Sequence, residues 1–331
     1  MESWRQQGPL GKLHNIVVYI QRSTQRIQAF KELSGGRRLV RDNSTRWNSW
    51  FMMIRTAIEP RIQLAINLFC IKYPDTKNDL LSDDDWSQLQ KIYAFLQSFH
   101  EATLATEGRT ASIEKVLPTM DFLLERFENA KIEYADDPFM GPCCNAGWAK
   151  LDKYYSLTER SPAYIASMVL VPWQKWSYFE DNWPAEWVSD ARTTVQRLWE
   201  QDYKSTATLI PEPELQEPQT ELQRWQASKR RQAPVIDEYS RYCSALRTPE
   251  VDSRSWWMEP AQRTTYPALS VMALDILSIP AMSAEPERLF SSAKITITDR
   301  KNRLQFESIE AIECLKSWLD SRDTAWAEGK V

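Results

Sequence analysis

Apolar positions recur along most of this chain at the three- and four-residue spacing of helices, and almost nowhere with the alternation of a half-buried strand. Between Leu10 and about Leu33, Leu13, Ile16, Val17 and Ile20 share one face. Ser23 or Thr24 can break or re-cap that pattern, Ile27 and Phe30 continue it, and Gly35 and Gly36 end it, as glycines end helices. Leu39 and Val40 predict a short strand leading into Asp42. From Ser49 to Tyr73 the spacing predicts a helix kinked at Pro60, with Met52, Met53, Ala57, Ile62, Ala65, Ile66 and Phe69 apolar. Ser82 with Asp85 three residues on resembles a capping box, and Trp86, Leu89, Ile92, Tyr93, Leu96 and Phe99 follow at helical spacing. Further helices are predicted over Ser112–Tyr134, Trp148–Thr158 and Ser161–Val171, then in a tryptophan-rich segment ending near Trp199.

Residues 202 to 234 break the periodicity. Pro211, Pro213 and Pro218 alternate with Glu212, Glu214 and Glu217, and the basic Lys229, Arg230 and Arg231 follow, as in a linker or an exposed loop. Ile236–Leu246 resumes as a helix, and Trp256-Trp257 reads as a loop anchor. Leu269, Met272, Ala273 and Ile276 then fall on one helical face that Pro280 terminates. Ser283 is a good N-cap for a second helix, with Pro286 inside its first turn. In a third, Ile309, Ile312, Leu315 and Leu319 form a stripe, while Cys314 and Trp318 are apolar outside it. That is more apolar surface than one packing partner needs, so the pattern points to a second chain.

Composition sharpens this picture. Only eight glycines in 331 residues argue for long helices over a turn-rich β fold, and the fifteen tryptophans, several beside charges at helix faces, suit half-buried amphipathic rings. A net charge of −4 does not advertise nucleic-acid binding, so any DNA contact must come from local basic patches. Five cysteines without regular spacing fit a reducing compartment, and with two histidines, neither near a cysteine, a zinc site is not expected. No run approaches the ~20 apolar residues that span a bilayer, and the N-terminus has no signal-peptide shape. A soluble intracellular protein is expected, with no membrane association.

The run SIPAMSAEPERLFSSAK, followed by RL and then IEAIECLKSWL, resembles the C-terminal dimerisation region of hAT-type DNA transposases. Ser283, Ala284, Glu287, Arg288, Phe290 and Ser291 stand where that family has S-A-x-x-E-R-x-F-S. Far upstream, Asp42, Thr45, Arg46, Trp47, Asn48 and Ser49 match its D-x-x-T-R-W-N-S. The two motifs occur in the family's order, with a long helical region between them, so the resemblance covers nearly the whole chain. Where the family ends a helix at His-Pro, this chain has Val171-Pro172.

The resemblance implies that Glu287 descends from the third acid of a DDE site, whose carboxylates hold two divalent cations that activate water and stabilise the leaving oxygen of a phosphodiester. One glutamate cannot hold two cations. In the family both aspartates precede the helix–strand passage that opens this chain, and the residues before that passage here hold one acid, Glu2. The expectation is therefore the C-terminal portion of a transposase, whether decayed, domesticated or mis-started, without a BED-type zinc finger and more plausibly not an enzyme by itself. Mg²⁺ or Mn²⁺ would be expected only with a complete DDE site; otherwise no metal and no small-molecule cofactor. Arg46 and Trp47 are candidates to meet phosphate and stack on a base, with a core tryptophan and an Arg46–Asp42 pair as the equally weighted structural reading. Arg288, Lys294, Arg300, Lys301 and Arg303 are further DNA-binding candidates, and Arg37, Arg38 and Arg41 form another basic group. His14 and His100 each read as core histidines.

The predicted fold is mainly α with little β: a truncated RNase H-like core interrupted by a long all-helical insertion. Residues 1–50 would be the partial core, 51–201 the insertion, 202–234 the linker, and 235–331 the dimerisation region with a returning core helix. Leu289, Phe290, Ile309, Ile312, Leu315, Trp318 and Leu319 are the expected dimerisation residues. The expected function is a transposon-derived, nuclear homodimer, with DNA as a further partner. An active transposase completed by aspartates from upstream or from another chain, and a helical scaffold binding proteins through its tryptophans, are the rivals.

Overall fold

The computed structural model describes residues 2–42, 47–108, 111–204, 237–283, 307–308, 310–312 and 314–316. Helices dominate them, and the described residues contain no β-strand, only an isolated antiparallel bridge between Ser112 and Pro280. The chain forms two compact units, residues 1–105 with 119–156, and residues 106–118 with 157–331.

In the first unit, α1 (Glu2–Arg5), α2 (Pro9–Gln21), α3 (Thr24–Ser34), α4 (Trp47–Ala57), α5 (Pro60–Lys72), α6 (Asp83–Glu107), α7 (Val116–Glu133) and α8 (Met140–Thr158) supply the helices. The apolar stripes place Leu13, Ile16 and Val17 of α2, Phe30 of α3, Ile54 of α4, Ile62, Ile66 and Phe69 of α5 and Leu89 of α6 in one core, each almost wholly buried. Ser23 breaks the first stripe into two helices, and Gly35, at φ +69°, ends the second in the left-handed conformation that glycine adopts freely.

Several boundaries differ from expectation. Pro60 does not kink one helix; it starts α5, because its missing N–H costs nothing in a first turn, and α4 stops at Ala57. Leu39 and Val40 form no strand. Leu39 is buried and its carbonyl accepts a bond from the Gln21 side chain at 3.0 Å, so a side chain stands in for a sheet partner. The α8 helix begins at Met140, eight residues before the predicted start, because Asp137 caps it through the N–H groups of Phe139 (3.0 Å) and Met140 (2.9 Å). The capping box at Ser82 and Asp85 is formed in both directions: Asp85 N–H donates to Ser82 Oγ at 3.2 Å and Ser82 N–H to the Asp85 carboxylate at 2.9 Å.

The second unit contains α9 (Pro162–Val169), α10 (Ser177–Asn182), α11 (Ala185–Leu198) with a π-turn over Trp199–Tyr203, α12 (Glu238–Ser244), α13 (Ser253–Met258), α14 (Pro260–Thr265) and α15 (Pro267–Leu277). Trp256 and Trp257 lie inside α13, not in a loop, because Asp252 caps that helix by accepting from Ser255 N–H at 2.8 Å. The predicted stripe of Leu269, Met272, Ala273 and Ile276 is the buried face of α15, and that helix ends at Leu277, just before Pro280.

Candidate functional site

Two places carry the motifs: the approach to α4 in the first unit, and α15 with the residues after it in the second. At the first, the chain leaves α3 through Gly35 and Gly36 and runs without regular secondary structure to Asp42. Asp42 is buried and receives His14 Nδ1 at 2.8 and 2.9 Å from its two carboxylate oxygens. His14 in turn stacks on Trp4 (ring centroids 4.1 Å apart) and lies 5.8 Å from Trp50, so two indoles and a carboxylate hold the imidazole. The partner of Asp42 is thus a histidine 28 residues earlier in the chain. Sequence spacing gave no signal for it, since His14 sits among the apolar residues of α2 and reads there as core.

Trp47 opens α4 and is 40% exposed, with its edge toward Phe99 and its ring tilted over Phe51. It is therefore not a core tryptophan; one side of the ring is held by aromatic neighbours and the rest is open. Its motif neighbour Arg46 lies outside the described residues. His100 is half-buried, stacks on Phe51 at 4.6 Å, and has its Nδ1 buried without a hydrogen-bond partner.

The second place is built on α15. Its first turn is satisfied by Glu238, whose carboxylate accepts from Leu269 N–H at 2.9 Å. Beyond α15, Ile279 C=O accepts from Ile113 N–H (2.9 Å) and Ala281 N–H donates to Ala111 C=O (3.1 Å), so the residues leading into the acidic motif are tied to the chain around Ser112. Lys175, buried and at φ +52°, gives its ammonium to the carbonyls of Tyr242 (2.6 Å), Ala245 (2.7 Å) and Leu246 (3.3 Å). Burial pushes its pKa below the usual lysine value. This lysine closes the end of α12, and nothing in the sequence around it announced that role.

Of the predicted site residues here, Ile312 is half-buried and Leu315 is 54% exposed. Glu287, Arg288, Leu289, Phe290, Lys294, Arg300, Lys301, Arg303, Ile309, Trp318 and Leu319 lie outside the described residues. Among the described residues no group of three or more His, Cys, Asp or Glu is placed to hold a metal ion, and no helix is long and apolar enough to cross a membrane.

Comparison with known proteins accounts for both places. The hAT family C-terminal dimerisation region matches residues 235–319, and the ZBED1 RNase-like helical domain matches residues 4–95. A candidate transcriptional regulator, tpeD, of Talaromyces stipitatus is 26% identical over 320 residues, covering 92% of this chain and 35% of its own length. The zinc finger BED domain-containing protein DAYSLEEPER of Arabidopsis thaliana is 24% identical over 294 residues, 84% of this chain and 40% of that protein. A candidate AC transposase of Zea mays is 22% identical over 317 residues, 84% of this chain and 36% of that protein. The chain thus spans well under half the length of these three relatives. Both motifs fall inside matched regions, and the chain carries the hAT family's C-terminal dimerisation region at residues 235–319.

Proposed function

We propose that this protein works as a transposon-derived homodimer in the nucleus, associating through its C-terminal helices and not cutting DNA by its own residues. The observation that carries the reading is the dimerisation-region match over residues 235–319, which contains the stripe of Ile309, Ile312, Leu315 and Leu319. Leu315, an apolar side chain 54% exposed in the single chain, is the kind of residue a second copy would cover. Leu289, Phe290 and Trp318 complete the proposed surface. Glu287 is read as a vestigial third acid, and residues 1–50 as part of an RNase H-like core.

Light scattering or analytical ultracentrifugation at tens of micromolar tests this directly. A dimer for the wild type and a monomer for Leu315→Glu, with helix content unchanged, is the expected result. A monomeric wild type overturns the reading.

A second reading, metal-dependent strand transfer, draws on the maize relative described as an AC transposase. In it Glu287 would be one of several acids around two divalent cations, which would supply Lewis acidity at the phosphodiester. Nicking of terminal-repeat DNA in Mg²⁺ or Mn²⁺ that Glu287→Ala abolishes would favour it, and nicking indifferent to that substitution would end it.

A further inference from the structure

The described residues of the second unit enclose a cavity of about 710 Å³, within the roughly 300–1,000 Å³ of small-molecule sites. One face of α11 and its π-turn makes a wall, with Arg192, Gln196, Arg197 and Glu200 recurring at helical spacing. Trp176, from before α10, and Tyr239 and Cys243 of α12 make the floor, where both rings are only 5% exposed.

Tyr239 is the unexplained member of that floor. Its hydroxyl is buried beside Cys243 and Trp176 and has no hydrogen-bond partner. Folded proteins seldom bury a polar group unpaired, so an acceptor from outside the chain is the natural complement. The ring is also fixed in place. It stacks on Trp199 with centroids 6.3 Å apart, and Trp199 Nε1 donates to Asp237 at 3.1 Å. Burial pushes the Tyr239 pKa up, so the hydroxyl keeps its proton and can donate. Burial raises the Cys243 thiol as well, which leaves the floor uncharged at neutral pH.

The charges on the wall are unequally engaged. Arg192 pairs with Glu180 and lies over the Trp176 ring, its guanidinium carbon 4.6 Å from the centroid. Glu200 accepts the Gln196 amide at 2.7 Å. Arg197 has no ion pair among the described residues. An incoming anion therefore meets one uncommitted guanidinium, while Glu200 on the same wall opposes a second negative charge. A carboxylate satisfies both conditions, being singly charged and matched in shape to the guanidinium fork.

We propose that this cavity binds a small aromatic carboxylate, with its charged end at Arg197, its ring against Trp176 and Cys243, and an oxygen at its far end accepting from the Tyr239 hydroxyl. The proposal does not depend on the dimer reading, which rests on residues 289–319.

Isothermal titration calorimetry of the full chain with 6-methoxy-2-naphthoate tests it. The controls are 2-naphthoate, which lacks the ether oxygen, and 2-methoxynaphthalene, which lacks the carboxylate. A single site is expected for the methoxy acid, with Kd on the order of 0.1–1 mM. Arg197→Gln should weaken both acids about fivefold at low salt and less at high salt, because the guanidinium stands at an exposed rim. Tyr239→Phe should weaken the methoxy acid about fivefold and leave 2-naphthoate unchanged, a split that a merely structural role would not produce. Neither substitution should lower the melting temperature, since one side chain is exposed and the other keeps its packed ring. A wild type that binds neither acid overturns the proposal. So does an Arg197→Gln variant with wild-type affinity, an equal loss of both acids in Tyr239→Phe, or 2-methoxynaphthalene binding as tightly as the methoxy acid.

Discussion

The two units of this protein hold their connecting segments in place by opposite means. The first uses carboxylates paired with cations from distant sequence: Asp79 with Arg5 at 2.7 Å, Asp85 with Lys12 at 2.7 Å, Asp42 with His14 at 2.8 Å and Asp137 with Lys91 at 2.8 Å. In all four the acid is sheltered, with side-chain exposures of 2, 13, 1 and 15%. In the second unit the surface ion pairs Arg192 with Glu180 and Lys204 with Asp237 have exposed cations and carry little stability. There the burial is done by aromatic rings and by donors that seek backbone carbonyls. Trp257 Nε1 donates to Leu170 C=O at 2.8 Å, Tyr242 Oη to Val169 C=O at 3.1 Å, and Lys175 caps α12. The lesson is that the first unit ties sheltered acids to cations from distant sequence, while the second ties buried donors to backbone carbonyls among packed rings.

The largest effect should come from breaking the second unit's aromatic centre. Trp257 is fully buried, 5.0 Å from Tyr242 and 6.1 Å from Tyr266 by ring centroids. Trp257→Ala removes that volume and strands the Leu170 carbonyl, a loss of about 3–5 kcal/mol. Hydrogen exchange should then show residues 162–170 and 238–277 opening while the first unit keeps its protection. Equal loss of protection in both units would mean that they do not unfold separately. Lys175→Met comes next. It leaves the buried Tyr242 carbonyl without its donor, at a cost on the order of 2 kcal/mol, whereas the Leu246 carbonyl beside a 95% exposed side chain can turn to water. Chemical denaturation of the two proteins side by side measures it.

These particular residues also show what could be read from the chain and what could not. Helices announced themselves because burial of one face imposes its own spacing, as with Leu269, Met272, Ala273 and Ile276, and the box at Ser82 and Asp85 was legible because both partners lie three residues apart. Long-range polar partners have no such period. Nothing local to Asp42 points to His14, and nothing local to Lys175 points to α12, because those meetings are decided by how helices pack. For the same reason the break at Pro60 is not legible from spacing: a proline reads alike as a kink or a first turn until the helix before it is seen to stop. At the candidate site, the family motifs identify which residues matter, while the exposure of Trp47 depends on neighbours supplied by α4 and α6.

Acid should probe the first unit more gently. Lys91, then the N–H groups of Met140 and Phe139, hold the Asp137 carboxyl down to about 2, against an ordinary 3.8. A carboxyl depressed in the folded state contributes stability that is complete above the ordinary value and is lost as pH falls from 3.8 toward 2. Because Lys91 is 42% exposed, salt should blunt part of that contribution. Asp137→Asn keeps an N-cap oxygen but cannot titrate, so the acid-dependent slope should shrink; Asp137→Ala loses the cap as well, at about 1 kcal/mol near neutral pH. Urea melts between pH 2 and 5 check both. An unchanged slope in the asparagine variant would show that the first unit's acid response lies with its other carboxylates.

The smallest effect is also the cleanest comparison, because it makes the same chemical change once in each unit. Tyr19 in the first unit donates its hydroxyl to Asp75 at 2.8 Å, and burial together with that bond raises its pKa. Tyr239 in the second is 5% exposed, and its hydroxyl is buried beside Cys243 and Trp176 without meeting hydrogen-bond geometry with either. Burial there raises the pKa even without a bonded partner. Removing a made bond costs about 1 kcal/mol and leaves an acceptor to be resolvated, while removing an unmade one returns the desolvation already suffered. Tyr19→Phe should therefore lower stability by about 1 kcal/mol, and Tyr239→Phe should leave it within about 0.5 kcal/mol or raise it slightly. Paired thermal melts read the difference. If the two substitutions cost the same, the Tyr239 hydroxyl has a partner in solution, and the contrast between a charge-tied and a ring-packed unit would have to be redrawn around it.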